Sequence, residues 1–488
     1  MEEIKEFKPG LDLTAKTFAG LEEELAKELK SLGADNVEII KRGCTFKGNV
    51  ELLYKVNYLS RLAIRILKPI GVFEVKSEDQ LYEKIRKINW MNVFNLNQTF
   101  QVDTNLFYSE LTHSHYVTQR TKDAIVDQFR EATGKRPWVN IENPNIYIDV
   151  HISHNVCTVS LDSSGESLHK RGYKVGVDKA PLNEVLAAGL IALSGWKGQT
   201  DLYDPMCGSG TIPIEAAMFA MNIPAGYYRK EFAFMNWDDF DEELWQKVKS
   251  EADDKLRDIE CDIFASDRSE KAIGIAKRNF KNAGLHKDIQ AKLAYFDSVD
   301  PSKEKGTIIM NPPYGLRLEE KGELRDLYRG IGDVLKNSFS GFNAWIISPN
   351  FETSKYVGLR PSKRLTLYNG PVETKFMKFE IYQGTRRYGD TEKADWKDTR
   401  KDMDKGRRDR LKKKFDSSDK KPFNQDKKDS DFRPRTRKDD EENPRTSIKK
   451  RSEDFEKRME SLRRFTQSDK KQTGGKRKRK RIDPDKKG

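Results

Sequence analysis

Asn311-Pro312-Pro313-Tyr314 closes the apolar run GTIIM. Two consecutive prolines make a stiff, extended loop, because each fixes its own φ and restricts the residue before it. A rigid turn after a buried strand accounts for the prolines but not for the Asn and the Tyr. Those two residue types suit a planar ring that carries an exocyclic amine. The lone pair of such an amine is delocalised into the ring, so the amine is a poor nucleophile. The Asn311 side-chain oxygen and the Pro312 carbonyl can accept its two hydrogens and aim the lone pair at an electrophilic methyl group. Tyr314 can stack on a base drawn out of its helix. Catalysis of this kind is mainly positioning and charge stabilisation. Methylation at a pyrimidine C5 would need a cysteine nucleophile instead. No cysteine lies near residue 311, and Cys207 sits in a glycine turn.

Upstream, TDLYDPMCGSGTIPIEAA places Asp204 at a strand end, Gly208 and Gly210 in a turn, and a helix start near Thr211. The glycines allow positive φ and close backbone approach to a ligand. A P-loop would need Gly-Lys-Ser/Thr, which is absent. A dinucleotide fingerprint would need a third glycine, and Pro213 takes its place in the first helical turn, where proline is tolerated. No pyrophosphate clamp is evident. The favoured nucleoside is therefore S-adenosylmethionine, with Asp204, Met206, Gly208 and Gly210 as candidate contacts. Asp267, ending CDIFASD, is placed to accept both ribose hydroxyls. Asp297, ending LAYFD, is placed for the adenine edge. Either aspartate alone reads first as a helix cap or turn residue. The order glycine turn, Asp, Asp, Asn-Pro-Pro-Tyr on successive strand ends turns that reading toward a cofactor site.

Such a site needs a scaffold that gathers strand ends. Residues 176–384 supply one. TDLYDP, CDIFASD, IQAKLAYFD, GTIIMNPP and NAWIISP read as short strands alternating with amphipathic helices such as SEKAIGIAKRNFKNAG. That is the pattern of a doubly wound parallel sheet. RLTLYNGPVETKFMKFEIYQG reads as two more strands around Asn369-Gly370-Pro371, an ending unusual for nucleotide-binding Rossmann domains. Residues 1–70 read as a small α+β unit. Leu21, Leu25, Leu29 and Leu32 line a helix closed by Gly33, and the apolar runs VEII and TFKGNVELLYKVN follow. Residues 71–175 read as a second α+β unit. FQVDTNLF is a strand, VTQRTKDAIVDQFREATG a helix ended by Gly134, and NIYIDVHISHNVCTVSLD a hairpin turning at Asn155. Arg120, Lys122, Arg130, Lys135 and Arg136 make a basic flank, which a solvated helix face explains equally.

The chain has 488 residues, enough for two or three domains, and its 36% hydrophobic content is low for a fully packed protein. Cys44, Cys157, Cys207 and Cys261 lie far apart with no Cys-x-x-Cys pair, so no metal or disulfide framework is expected. A reducing, cytoplasmic setting fits. No apolar run approaches the ~20 residues that span a bilayer. The start, MEEIKEFKPG, lacks the apolar core of a signal peptide, so no membrane partner is expected. The net charge of +13 is uneven: residues 385–488 hold 39 Lys+Arg and 23 Asp+Glu, and residues 1–384 hold 52 and 55. The tail, with KRKRKR at 476–481, is too poor in apolar residues to pack. It is expected to be a disordered basic segment that meets a polyanion first.

LTHSHYVTQRTKDAIVDQFRE with GKRPWV, SLDSSGESLHKRGY, APLNEVLAAGL, DPMCGSGTIPIEAA and NPPYGLRL together resemble the bacterial THUMP-domain RNA methyltransferases of the RlmL type. Those enzymes make N2-methylguanosine in 23S ribosomal RNA. The resemblance covers residues 10–384 and is far more specific than NPPY alone, which also occurs in adenine-N6 methyltransferases. It implies an α/β, class I (Rossmann-like) methyltransferase domain preceded by α+β ferredoxin-like and THUMP units. It implies that Asn311, Pro312, Pro313 and Tyr314 form the catalytic motif that holds the guanine. Asp204, Gly208 and Gly210 would contact the methionine portion of the cofactor, Asp267 the ribose and Asp297 the adenine. Thr118, Gln119, Arg120, Lys122, Lys135 and Arg136 would face RNA. The implied partner is ribosomal RNA, free or in a pre-ribosomal particle.

Relatives of this architecture methylate transfer RNA, which is the alternative substrate. A noncatalytic RNA-binding ribosome-assembly factor is the alternative from another class, and the intact motif residues weigh against it. Some members carry a second methyltransferase domain where this chain has its basic tail, so one activity is expected. IPAGYYRKEFAFMNWDDFDEELWQKVKS also resembles the family, and its Phe232, Phe234, Trp237 and Trp245 read as local core. APLNEVLAAGL resembles the segment that packs under the cofactor and reads equally as a core helix.

Overall fold

The computed structural model describes residues 11–177, 181–301, 303–313, 321–349 and 354–382. Tyr314 and the basic tail lie outside the described residues. The chain opens with β1 (Leu11–Lys16), α1 (Glu22–Ser31), β2 (Asp35–Ile40), β3 (Gly43–Gly48), α2 (Val50–Leu59) and β4 (Arg65–Glu74). There follow α3 (Glu78–Arg86), β5 (Thr99–Phe107), α4 (Ser114–Thr133), β6 (Trp138–Val139), β7 (Ile146–Ser153) and β8 (Val156–Asp162). The run TFKGNVELLYKVN is not one element. It divides at Asn49, whose Oδ1 accepts from the Leu52 N–H at 2.8 Å and caps α2. Helix α4 ends at Gly134 with φ 71°, as read, but starts earlier than VTQRTK suggested, at Ser114. His154 and Asn155 both take positive φ between β7 and β8, the backbone of a two-residue hairpin.

These eight strands form one sheet in the order β2-β3-β1-β4-β8-β7-β5-β6. Strand β4 joins its halves: Arg65 to Leu67 pair with β1, and Leu67 to Glu74 pair with β8. Residue 70 therefore lies inside a shared strand, and the α+β units on either side of it are continuous through one sheet.

The second half contains α5 (Glu184–Ser194), β9 (Asp201–Asp204), α6 (Thr211–Ala220), α7 (Glu242–Asp253), β10 (Ile263–Asp267) and α8 (Glu270–Asn282). It continues with β11 (Ile289–Leu293), β12 (Gly306–Met310), α9 (Lys321–Ser338), β13 (Asn343–Ser348), β14 (Lys363–Asn369) and β15 (Val372–Glu380). Its seven strands run β11-β10-β9-β12-β13-β15-β14. Strands β9 to β13 are mutually parallel, and β15 enters antiparallel between β13 and β14. Strand order reverses between β9 and β12, where connections leave in opposite directions and open a crevice.

Phe232, Phe234, Trp237 and Trp245 are buried, but the core they join is not local. They pack with Tyr54 and other side chains of the first sheet's unit, and Trp245 also meets Tyr58 edge-on. Among the described residues, no helix is long and apolar enough to cross a membrane.

Candidate active site

The crevice between β9 and β12 opens into a cavity of about 780 Å³. Asp204, Met206, Gly208, Asp267, Asp297, Asn311, Pro312 and Pro313 all reach its wall, although they span more than a hundred residues of sequence. Asp204 ends β9 and is buried, accepting from the Met206 N–H at 3.3 Å. Burial holds its carboxyl well above the usual carboxylate range, the Met206 bond pulls it down, and nearby Asp267 pushes it up. Among the described residues, no cation acts on it.

The turn after Asp204 is held from β10. The Cys207 N–H donates to the Ser266 carbonyl at 3.0 Å, and the Gly208 N–H donates to Asp267 Oδ2 at 3.0 Å. The other oxygen of Asp267 accepts from the Ser269 N–H at 2.9 Å at the head of α8. The two glycines differ. A Cβ on Gly208, φ 52°, would meet no atom within 4 Å, whereas one on Gly210, φ 81°, would stand 2.3 Å from Phe280 Cε1. Gly208 faces open space, and Gly210 packs the turn against α8.

Asp297 is not at a strand end. The β11 strand stops at Leu293, the Ala294 N–H turns in to the Asp267 carbonyl at 3.1 Å, and Asp297 lies on a 3-10 turn, Phe296–Ser298, exposed at the rim. Asn311 follows β12 directly, and its Oδ1 is buried without a hydrogen-bond partner. Thr211 Oγ1, on the same wall, is buried and unpartnered too.

Several lining residues were not read from the sequence. Asn369 comes from the β14–β15 turn, and Leu327, Gly330, Ile331 and Val334 come from α9. Asn369-Gly370-Pro371 was visible as a turn, but nothing in it said that its tip reaches the strand ends. APLNEVLAAGL splits between the cavity wall and a core helix. Pro181 and Leu182 touch the cavity, while Asn183 caps the buried helix α5, accepting from the Val185 N–H at 2.9 Å.

The RNA-facing candidates do not form one patch. Thr118 Oγ1 donates to the Ser114 carbonyl at 3.0 Å. Arg120 pairs with Asp79 at 2.7 Å and lies over the Tyr82 ring, which ties α4 to α3. Lys122 bonds Gln119 and pairs with Asp123 at 3.3 Å. Lys135 and Arg136 are exposed beyond the other end of α4, with Arg136 over Trp138. At the helical rise, about 20 Å separates the two groups.

Three family models match the chain in succession: an RlmL ferredoxin-like domain over 12–67, a THUMP domain over 75–162 and an RMKL-like methyltransferase domain over 171–378. A protein of Synechocystis sp. named "Putative RNA methyltransferase" is 39% identical over 364 residues, covering 74% of this chain and 95% of that one. The ribosomal RNA large subunit methyltransferase K/L of Syntrophotalea carbinolica is 38% identical over 76% of this chain. Only 54% of that relative is covered, so this chain spans about half its length. A solved structure described as "a putative methyltransferase complexed with SAH" is 31% identical with a TM-score of 0.71, covering 78% of this chain and 100% of that one.

Proposed function

This chain belongs to the RlmL-type THUMP-domain RNA methyltransferases, and from that premise we propose that it methylates the exocyclic N2 amine of a guanine in 23S ribosomal RNA. The observation that carries the chemistry is the buried, unpartnered Asn311 Oδ1 on the wall it shares with the glycine turn. S-adenosylmethionine, when bound, supplies a methyl group on a sulfonium. The residues fit that group. A cavity of about 780 Å³ is of the size that takes a cofactor. Gly208 leaves room where a side chain would stand. The buried Asp204 carboxyl, which no cation among the described residues pairs with, suits the positive methionine end. Asp267 offers its remaining lone pairs to ribose hydroxyls, and Asp297 stands at the rim for adenine.

Asn311 Oδ1 accepts one N2 hydrogen of the guanine and the Pro312 carbonyl accepts the other. Those two bonds would aim the N2 lone pair at the methyl group that the cofactor supplies, and N2 would then give up a proton to solvent. Tyr314, next to Pro313, stacks on the base. We assign RNA capture to residues 71–175, with Lys135 and Arg136 the exposed cations among the candidates there, and the chemistry to residues 176–384.

The test is transfer of radiolabelled methyl from S-adenosylmethionine to unmodified 23S ribosomal RNA and, in parallel, to transfer RNA, followed by nucleoside analysis. N2-methylguanosine in ribosomal RNA is the expected result. Label only in transfer RNA overturns the substrate, and label as N6-methyladenosine overturns the base. No label with cofactor bound favours a noncatalytic RNA-binding factor.

A further inference from the structure

A charged surface on the catalytic half takes no part in the chemistry above. Helix α9 stands between it and the cavity. Leu327, Gly330 and Val334 face the cavity. Arg325 and Arg329, one turn apart, project from the opposite side of the helix and are exposed. Both guanidiniums lie over the ring of Tyr356, 5.3 and 5.5 Å from its centroid. Two like charges are thus held on one ring. Asp326 pairs with Arg329 at 3.3 Å through an i,i+3 bridge exposed on both sides, which contributes little.

Tyr356 belongs to a segment, 354–364, that contains Lys355, Arg360, Lys363 and Arg364 and no carboxylate. All four cations are exposed. Residues 1–384 carry 52 Lys+Arg against 55 Asp+Glu, so this acid-free stretch departs from the body around it. From its end β14 runs to Asn369 on the cavity wall. Arg325 and Arg329 thus stand behind α9 from the cavity, and Lys363 and Arg364 stand at the far end of β14, about 17–20 Å along the strand from Asn369.

We propose that Arg325, Arg329 and the cations of 355–364 hold the phosphate backbone of the RNA next to the base in the active site, with Tyr356 as the support that spaces the two guanidiniums. This rests on RNA being the substrate. A helix breadth of about 10 Å separates Arg325 and Arg329 from the cavity, within reach of nucleotides that flank an extruded base, and the cations of 355–364 lie farther along the same strand of RNA.

The test measures binding of the full chain to transcribed 23S ribosomal RNA over a salt series, and binding of S-adenosylhomocysteine by calorimetry. The basic tail is common to every variant and cancels in the comparison. Arg325→Ala/Arg329→Ala should bind RNA about tenfold more weakly, with a log–log salt slope shallower by about 1 to 2, as loss of two phosphate contacts requires. Arg325→Lys/Arg329→Lys should keep most of that slope, and neither pair should change S-adenosylhomocysteine affinity. Unchanged RNA affinity and slope in the alanine pair overturns the proposal, as does loss of S-adenosylhomocysteine binding, which would mark a structural role. Failure of the unaltered protein to bind the RNA overturns the substrate reading itself, before any variant is compared.

Discussion

Asn311 is placed by the sheet rather than by its loop. It stands one residue past β12, whose five residues are all buried, so its Cα is fixed by ladder pairing with β9 and β13. A buried acceptor without a donor costs about 1–3 kcal/mol, and an incoming amine restores that loss on binding. Asn311→Ala removes the acceptor and leaves the backbone intact. Methyl transfer should fall below detection while S-adenosylhomocysteine affinity stays within about threefold, a change of ~0.6 kcal/mol. Loss of S-adenosylhomocysteine binding would give Asn311 a structural role instead. At this scale residue type was legible in the sequence but orientation was not. Gly208 and Gly210 are indistinguishable in DPMCGSG, yet one opens on the cavity and the other packs against Phe280. That difference depends on α8, a helix far along the chain. Arg120 likewise reads as a free cation until α3 brings Asp79 and Tyr82 to it.

Among the elements, the parallel strands were legible because each is a short apolar run ending in a polar residue, and these runs alternate with amphipathic helices. The sharing of β4 between two units was not, because pairing partners are set by strands dozens of residues away. Nor was the use of α8 as a clamp. Its Asn279 is buried, and Oδ1 accepts from the Val175 and Gly176 N–H groups at 3.0 and 3.2 Å. Its Nδ2 donates to the Gly176 and Ser209 carbonyls at 3.0 and 2.9 Å. One side chain therefore ties the strap that leads out of the first sheet to the glycine turn of the second. Asn282, one turn on, donates to the Tyr173 carbonyl at 2.9 Å and holds the strap without touching the turn. Asn279→Leu should weaken S-adenosylhomocysteine binding by about tenfold, since it unpairs four backbone groups, among them the buried Ser209 carbonyl in the turn. Asn282→Ala should leave that affinity within about twofold. Equal losses in both variants would mean that the strap alone sets the affinity.

Across the whole molecule, a buried polar chain joins the first sheet's unit to the methyltransferase sheet. On α1, Glu28 accepts from the Ser60 hydroxyl at 2.6 Å and the Arg61 N–H at 2.7 Å, and burial pushes its carboxyl up. The Arg61 guanidinium donates to the Met218 and Ile223 carbonyls at 3.1 and 2.7 Å, at the end of α6. Arg171 donates to the Arg61 carbonyl at 2.6 Å and lies 3.5 Å from Glu215 of α6, which also accepts from the Tyr173 hydroxyl at 2.9 Å. Arg171 and Glu215 are both buried, so neither charge has water to fall back on. Removing one partner leaves the other uncompensated, which typically costs about 3–5 kcal/mol. Arg171→Met should therefore lower the thermal midpoint sharply. Arg171→Met/Glu215→Gln should recover part of the loss, because the amide carries no charge and still accepts from Tyr173. If the double variant unfolds as early as the single one, the loss comes from the bonds that Arg171 donates to the Arg61 and Leu168 carbonyls, at 2.6 and 2.9 Å, rather than from the ion pair. Since α6 begins at the glycine turn, the same network carries the placement of the RNA-binding unit to the cofactor's edge. The single variant should accordingly lose S-adenosylhomocysteine affinity and global stability together, in one transition measured by both probes.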